Sequence, residues 1–267
     1  MIKELKYSNT NTYLIQGRTG SLLFDTGWAG TFPMLCRALG ENKLKLQDID
    51  YLLISHFHPD HMGIAQDIAD SGVKIAAADV QRDYIHSSDG IFVKEKNTAF
   101  IPIKDDAVRI VNISDSRAFL GELGIDGELI YTPGHSDDSI SLWLDDEKAL
   151  FVGDLNPLYE FDMHKGTQIG ESWYRLLGLC PRTVYYGHAP KAEFDGKKAP
   201  GAKKSNDDIY ALVKKIIKLL GKGYTAEMIQ QKTDADIVFI RDVARMYVTH
   251  PNVSVQGILD RIEIKGK

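Results

Sequence analysis

Five of the eight histidines stand where a pair of divalent cations could use them. Residues 56–61 read His56-Phe57-His58-Pro59-Asp60-His61, four potential ligands in six positions. His135 closes Thr132-Pro133-Gly134-His135, Asp154 closes Phe151-Val152-Gly153-Asp154, and His188 closes Val184-Tyr185-Tyr186-Gly187-His188. Neutral imidazole and carboxylate are ligands that suit zinc, and also iron or manganese. Two such ions sharing a water generate hydroxide near neutral pH, so the chemistry indicated is hydrolysis. A lone Gly-His or Gly-Asp would carry little, because a single histidine is ordinarily a surface or packing residue. The hexapeptide differs: packing has no use for three imidazoles and a carboxylate so close together, and burying them unpaired is costly.

Each ligand group follows a short apolar run. Residues 12–15 and 21–24 are expected strands around a turn at 17–20, with Asp25-Thr26-Gly27 ending the second. Residues 32–39 have helical spacing, with Pro33 in the first turn and a stop at Gly40. Residues 51–54 read as a strand buried on both faces, and 62–70 as a helix, which places the His56 motif in a strand-to-helix loop. Further strands are expected at 73–76, 108–111, 128–131, 139–144, 149–152 and 183–186, with a hairpin turn at 145–148 and a short helix at 79–86. Residues 87–107 show no clear period and read as a flap or lid, with Phe92, Phe100 and Phe119 weighed as walls of an apolar pocket against ordinary core packing. Strand-end loops can carry function while packed strands hold their anchors rigid, so His135, Asp154 and His188 are expected to converge at one sheet edge.

From 189 to 205 the composition shifts to Gly, Pro, Lys and Asp, a connecting loop. An amphipathic helix follows at 207–220, with Ser205 and Asp208 resembling a cap, then helices at 226–232 and 237–248 and a short last element at 254–264. We divide the chain into a catalytic unit, 1–204, and a helical C-terminal extension, 205–267, packed on it. The extension either roofs the metal cleft or builds a homodimer interface.

Composition bounds the function. The length of 267 residues allows one large domain with an appendage, and 43% hydrophobic with 26% charged residues is ordinary for a globular protein. A net charge of −5 argues against a general nucleic-acid binder, and the lysines between 197 and 222 read as a solvated face. Cys36 and Cys180 sit in apolar helical patterns with no disulfide framework. The first residues lack an apolar core of signal-peptide length, and no run approaches a membrane span, so the expectation is a cytoplasmic protein with a small-molecule substrate and no membrane partner.

The order His-x-His-x-Asp-His, then His, Asp and His after strand ends, resembles the metallo-β-lactamase superfamily over residues 7–190; Asp25-Thr26-Gly27 and Thr132-Pro133-Gly134-His135 match its habits too. The resemblance implies an α/β fold, a four-layer αβ/βα sandwich with a dinuclear site along one edge of two sheets. It implies one metal on His56, His58 and His135, another on Asp60, His61 and His188, and Asp154 bridging both. The cofactors are then two divalent ions, zinc by default, with iron or manganese as alternatives. A dimetal-bridged hydroxide is the implied nucleophile, with Asp60 and Asp154 as the catalytic carboxylates and Asp25 steadying the loop around them.

Substrate choice is narrower ground. Having both Asp60 and His61 and no secretory signal argues against a β-lactamase, and His58 stands where di-iron oxygen-reducing members carry glutamate. The segment ending in His188 resembles glyoxalase II-like enzymes. Lactonases place a tyrosine soon after the bridging aspartate, and Tyr159 lies five positions beyond Asp154, so Tyr159 and His164 are the substrate-binding candidates, weighed against ordinary loop roles. Ester, thioester or lactone hydrolysis ranks first. The alternatives are a phosphodiesterase or nuclease of the same fold and a binding or signalling protein with little turnover.

Overall fold

The computed structural model describes residues 1–194, 206–249 and 258. Two sheets form its centre. The first runs in the order β1 (Ile2–Leu5), β2 (Thr12–Gln16), β3 (Ser21–Phe24), β4 (Tyr51–Leu53), β5 (Lys74–Ala78) and β6 (Val108–Val111). Its first three strands pair antiparallel and β3 to β6 pair parallel. The second sheet comprises β7 (Gly127–Tyr131), β8 (Ile140–Leu144), β9 (Ala149–Phe151), β10 (Thr183–Tyr185) and β11 (Ala192–Glu193), laid down in reverse order across the sheet.

Alternation along the strands explains the layers. Tyr13, Leu22, Phe24, Tyr51 and Leu53 share one apolar cluster with Ile140, Leu142, Ala149 and Phe151, so these side chains fill the space between the sheets. Their neighbours Leu14, Leu23 and Leu52 face the other way, against Leu35 and Leu39 of helix α1 (Phe32–Glu41). On the second sheet Trp143, Leu150 and Val184 turn outward onto Trp173 and Leu176 of α6 (Gln168–Leu177). Strands with both faces covered can be apolar at every position, as Leu22-Leu23-Phe24 and Tyr51-Leu52-Leu53 are. Helix, sheet, sheet and helix give the expected four-layer αβ/βα sandwich.

The parallel pairs require crossovers. Helix α1 joins β3 to β4; α2 (Pro59–Met62) and α3 (Ala65–Ala69) join β4 to β5; α4 (Asp89–Lys94) lies between β5 and β6. Helix α5 (Ser116–Glu122) precedes β7 and sets Phe119 edge-on against Tyr51 between the sheets.

Several expectations are corrected. The helix expected over 62–70 is broken, because Ile64 leaves the helical region at φ −118° and ψ 19°, just after Gly63, where a Cβ would lie 2.4 Å from the Ala29 backbone nitrogen. The segment 87–107 is not a free flap. It carries α4, buries Phe92 stacked on Phe100 at 3.9 Å, and ties Ser88 Oγ to the Phe57 carbonyl. Phe92, Phe100 and Phe119 are therefore core residues. Cys180 lies outside a helix, at positive φ in the turn after α6, and both cysteines are exposed and unpaired. Strand β1 and helices α5 and α6 are elements the sequence reading did not place.

Three more helices follow: α7 (Asn206–Leu220), α8 (Ala226–Thr233) and α9 (Ile237–Thr249). They pack through Val213, Ile216, Ile229, Phe239, Ile240, Val243 and Met246. Tyr159 and Met163, from the 3-10 helix Leu158–His164, join that cluster, so the helical unit leans on the second sheet's side of the molecule. Lys214, Lys215, Lys218 and Lys222 are exposed, as a solvated face requires. The cap at Ser205, the loop over 195–205 and His250 lie outside the described residues, as does all but Ile258 of the element expected at 254–264. No helix of the described residues is long and apolar enough to cross a membrane.

Candidate metal centre

The ligand side chains come from strand ends on one rim of the sandwich. β4 runs into Ser55, His56, Phe57 and His58, and Pro59 then starts α2, which carries Asp60 and His61 in a single turn. His135 lies beyond β7, Asp154 beyond β9 and His188 beyond β10. Two glycines make room for them. A side chain at Gly187 would lie 2.5 Å from Asp154 Oδ1 and 2.8 Å from His61 Cε1. Gly153 has φ of +54°, and a Cβ there would meet Ser55 Oγ at 2.4 Å.

Seven expected residues meet. His56 Nε2 and His135 Nε2 stand 3.0 and 3.1 Å from His58 Nδ1. A tetrahedral ion with metal–nitrogen bonds of roughly 2.0–2.1 Å would separate its ligands by roughly 3.3 Å, so this spacing is close to one edge of such a site. His188 Nε2 lies 2.9 Å from Asp60 Oδ2. His61 Nε2 lies 3.9 Å from Asp60 Oδ2. Asp154 stands between the groups: Oδ1 is 3.2 Å from His61 Nε2, while Oδ2 is 3.4 Å from His188 Nε2 and 3.6 Å from His135 Nε2. The two trios His56, His58, His135 and Asp60, His61, His188 can each hold an ion.

The donors fit a pair of cations. His61 Nε2 and Asp154 Oδ1 are buried, face each other at 3.2 Å and make no hydrogen bond to any other group, a ring nitrogen and a carboxylate oxygen that a cation between them would satisfy together. Electrostatics agrees. Burial, then the neighbouring His61, push His56 well below the usual imidazole range, leaving it neutral with a lone pair to offer. Burial opposes charge on His61 too, but Asp154 and Asp25 overcome it and hold that ring well above its ordinary value. Burial would raise the Asp154 carboxyl; His61 and His188 more than offset it and keep Asp154 well below the usual carboxylate range. This half of the cluster calls for positive charge.

Supporting residues set which nitrogen faces inward. Asp25, buried at positive φ after β3, accepts from Ser55 N at 2.6 Å, Ser55 Oγ at 2.8 Å and His61 Nδ1 at 2.9 Å. That bond keeps the proton on His61 Nδ1 and frees Nε2 for the centre. His188 Nδ1 donates to the Asn9 carbonyl at 3.0 Å, with the same effect. Thr10 Oγ1 donates to the Asp60 carbonyl, and Asn11 Nδ2 to the carbonyls of Tyr186 and Ala189. Asp25 was legible in the sequence from the Asp25-Thr26-Gly27 strand end, whereas Asn9, Thr10 and Asn11 carried no local signal. Their partners lie 50 to 179 positions away.

A cleft of about 380 Å³ opens over the ligands. His135, Asp154 and His188 line one side, Tyr159 and Glu160 the wall, and Val238, Asp242, Arg245 and Met246 of α9 the opposite side. Tyr159 Oη donates to Asp242 Oδ2 at 3.3 Å and its ring meets Phe239 at 5.6 Å between centroids. The helical extension thus roofs the cleft. His164 does not line it: its ring is buried behind the wall, with Nε2 3.8 Å from Glu160 Oε2.

Comparisons with known proteins agree with this fold. A family model described as the metallo-beta-lactamase superfamily matches residues 6–188. The beta-lactamase-like protein 2 homolog of Caenorhabditis elegans is 29% identical over 194 residues, 68% of this chain and 56% of its own length. An atrochrysone carboxyl ACP thioesterase of Aspergillus fumigatus is 29% identical over 150 residues, 54% of this chain and 29% of its own length. The chain spans between 29% and 58% of the length of such curated relatives. Among solved structures, a metallo-beta-lactamase family protein from Thermus thermophilus superposes with a TM-score of 0.56 at 20% identity, over 99% of this chain and 94% of that one. Another, solved in a di-iron-bound form, gives 0.54 at 20% identity over 72% and 94%.

Proposed function

The chain belongs to the metallo-β-lactamase superfamily, and on that premise we propose that it is a metal-dependent hydrolase of small carboxylic esters, thioesters or lactones. The observation that carries this is the convergence of five histidines and two aspartates from distant strand ends, with Asp154 within 3.2–3.6 Å of three imidazoles, at the base of a closed-over cleft. His56, His58 and His135 would hold one ion and Asp60, His61 and His188 the other, with Asp154 placed between the two trios. Zinc suits this donor set best, with iron or manganese as alternatives. When bound, such a pair lowers the pKa of water toward ~7 and polarises an acyl oxygen.

The chain's own groups do the rest. Asp60, whose Oδ2 lies beside His188, is placed to take the proton of the attacking water and return it to the leaving group. Asp25 keeps His61 in one tautomer and orientation. Leu155, Pro157, Tyr186, Val238 and Met246 offer an acyl chain an apolar surface, and α9 shields the reacting carbonyl from bulk water.

The cleft's size supports a small substrate, and among its described lining residues Glu160 and Asp242 stand beside Arg245 as an acidic wall that disfavours a polyanion. The thioesterase among the relatives supports acyl chemistry. The test is metal analysis together with assay of a thioester, lactone and phosphodiester panel. Acyl turnover that vanishes with the metal and returns with zinc is expected. Activity surviving complete metal removal, or confined to phosphodiesters, rejects the proposal.

A further inference from the structure

Two buried polar side chains outside the ligand set join the loops that carry the three-imidazole pocket. Asp138 is only 1% exposed. Its Oδ2 accepts from the Phe57 backbone N–H at 2.7 Å, at the residue between His56 and His58, and its Oδ1 accepts from Ser136 Oγ, next to His135. Gln81, also buried, is fixed by accepting from Ala78 N at 2.9 Å. Its Nε2 donates to the carbonyls of Ile54 at 3.0 Å, Ser55 at 3.1 Å and Asp138 at 3.1 Å. One amide thus grips the end of the first sheet's ligand strand and the second sheet's ligand loop together. Ile140 N adds a direct bond to the Ser55 carbonyl at 2.8 Å.

We propose that Asp138 and Gln81 are positioning residues that set the spacing of His56, His58 and His135 across the two sheets. The inference rests on the reading above that these three imidazoles bind a metal. Its physical core is tolerance. A metal site needs its ligand distances held to about 0.2 Å. Here His56 and His58 come from one sheet and His135 from the other, so drift between the loops changes the 3.1 Å His58–His135 spacing directly. Asp138 reaches the backbone beneath His58 and belongs to the loop bearing His135, and a carboxylate acceptor makes the stronger, charge-assisted bond. The second trio, Asp60, His61 and His188, is held by Asp25, Thr10 and Asn9, and meets this clasp only through Ser55, whose carbonyl Gln81 grips and whose N–H and hydroxyl donate to Asp25.

The test is chelator-competition titration of the full chain with zinc and cobalt, following both affinities, the stoichiometry and the cobalt absorption spectrum. Asp138→Ala is expected to weaken one of the two ions by about ten- to hundredfold, the scale of lost ligand support, with the other within about threefold. Asp138→Asn should recover most of the affinity lost in Asp138→Ala, since its carbonyl can accept from Phe57 N and its amide can donate to Ser136 Oγ, though without the charge-assisted strength of the carboxylate. Gln81→Met should act in the same direction as Asp138→Ala, and it decides the matter if Asp138→Ala does not fold. Equal weakening of both ions, or no change in either, overturns the proposal while leaving the hydrolase reading intact. A wild-type protein that binds no metal removes both.

Discussion

The floor of the cleft and its roof are held in place differently. Floor side chains come from Asn9 to His188, and hydrogen bonds clamp them: three buried ones onto Asp25, four buried ones through Gln81, a half-buried one at Thr10 and an exposed one at the His188 ring. The roof is one face of α9, packed mainly on its own helical neighbours. Toward the wall it makes a ring contact with Tyr159 and one 3.3 Å hydrogen bond. The family match stops at His188, so it covers the floor and omits the roof. Under the proposed hydrolase reading the difference divides the roles: the floor would set which bond can be cleaved, and the roof which molecule is admitted.

The largest expected effect removes the residue that stands between the two trios. Asp154→Ala should empty the centre and lower kcat/KM more than about hundredfold, beyond what loss of a supporting residue causes. Metal content by atomic emission alongside turnover checks it, and His58→Ala should behave alike. Full metal content in Asp154→Ala would show that the floor does not work as a unit. Next comes Asp25→Asn. An amide there must turn an N–H toward one of the three donors that Asp25 now accepts from, so His61 loses its fixed orientation. Metal affinity should fall by about ten- to hundredfold while the roof residues keep their contacts.

The same division governs what the sequence revealed. Ligands were legible because each follows an apolar run and because the hexapeptide is too dense in donors for packing to explain. Strands buried on both faces announce themselves as continuous apolar segments. The supporting shell was not legible: Gln81 and Asp138, or Asn11 and Tyr186, are partners only after the sheets stack, and no local pattern records that. Helix α6 had a signal that was passed over, with Thr167 capping Gly170 N and Ile169, Trp173 and Leu176 at helical spacing, though Gly170 weakens it. The tail read clearly as helices, but its amphipathic faces alone did not distinguish roof from dimer interface.

A smaller effect should separate roof from floor. Tyr159→Phe removes the Tyr159–Asp242 bond and little else, a net loss of about 1 kcal/mol. The expected outcome is a rise in KM of up to about fivefold, with kcat and metal content unchanged. A fall in kcat at constant KM would mean that the Tyr159 hydroxyl acts on the reacting atoms, and the assignment of selection to the roof would fail.

The smallest expected effect tests whether the back of the floor is held by charge. His86 Nε2 and Nδ1 lie 3.0 Å from Asp105 and Asp89, and its neighbours Ser87 and Ser88 both donate to the Phe57 carbonyl in the ligand loop. The hydrogen bond to Asp105 raises the His86 pKa; partial burial opposes this and Asp89 adds to the rise. A group raised in the folded state contributes stability that is complete below its unfolded value, about 6.5, and is lost as pH climbs through the folded value. The ring is 48% exposed, so solvent screening limits the contribution to a few tenths of a kcal/mol, or roughly 1 °C in melting temperature. Melting wild type and His86→Ala at pH 6 and pH 8.5 checks this: the wild type's advantage should be present at the lower pH, shrink at the higher, and fade in molar salt. An advantage that grew with pH would reverse the sign. It would mean that the folded protein favours the neutral ring, whereas an advantage unchanged by pH and salt would mean that the Ser87 and Ser88 hydroxyls alone anchor the segment behind the ligand loop.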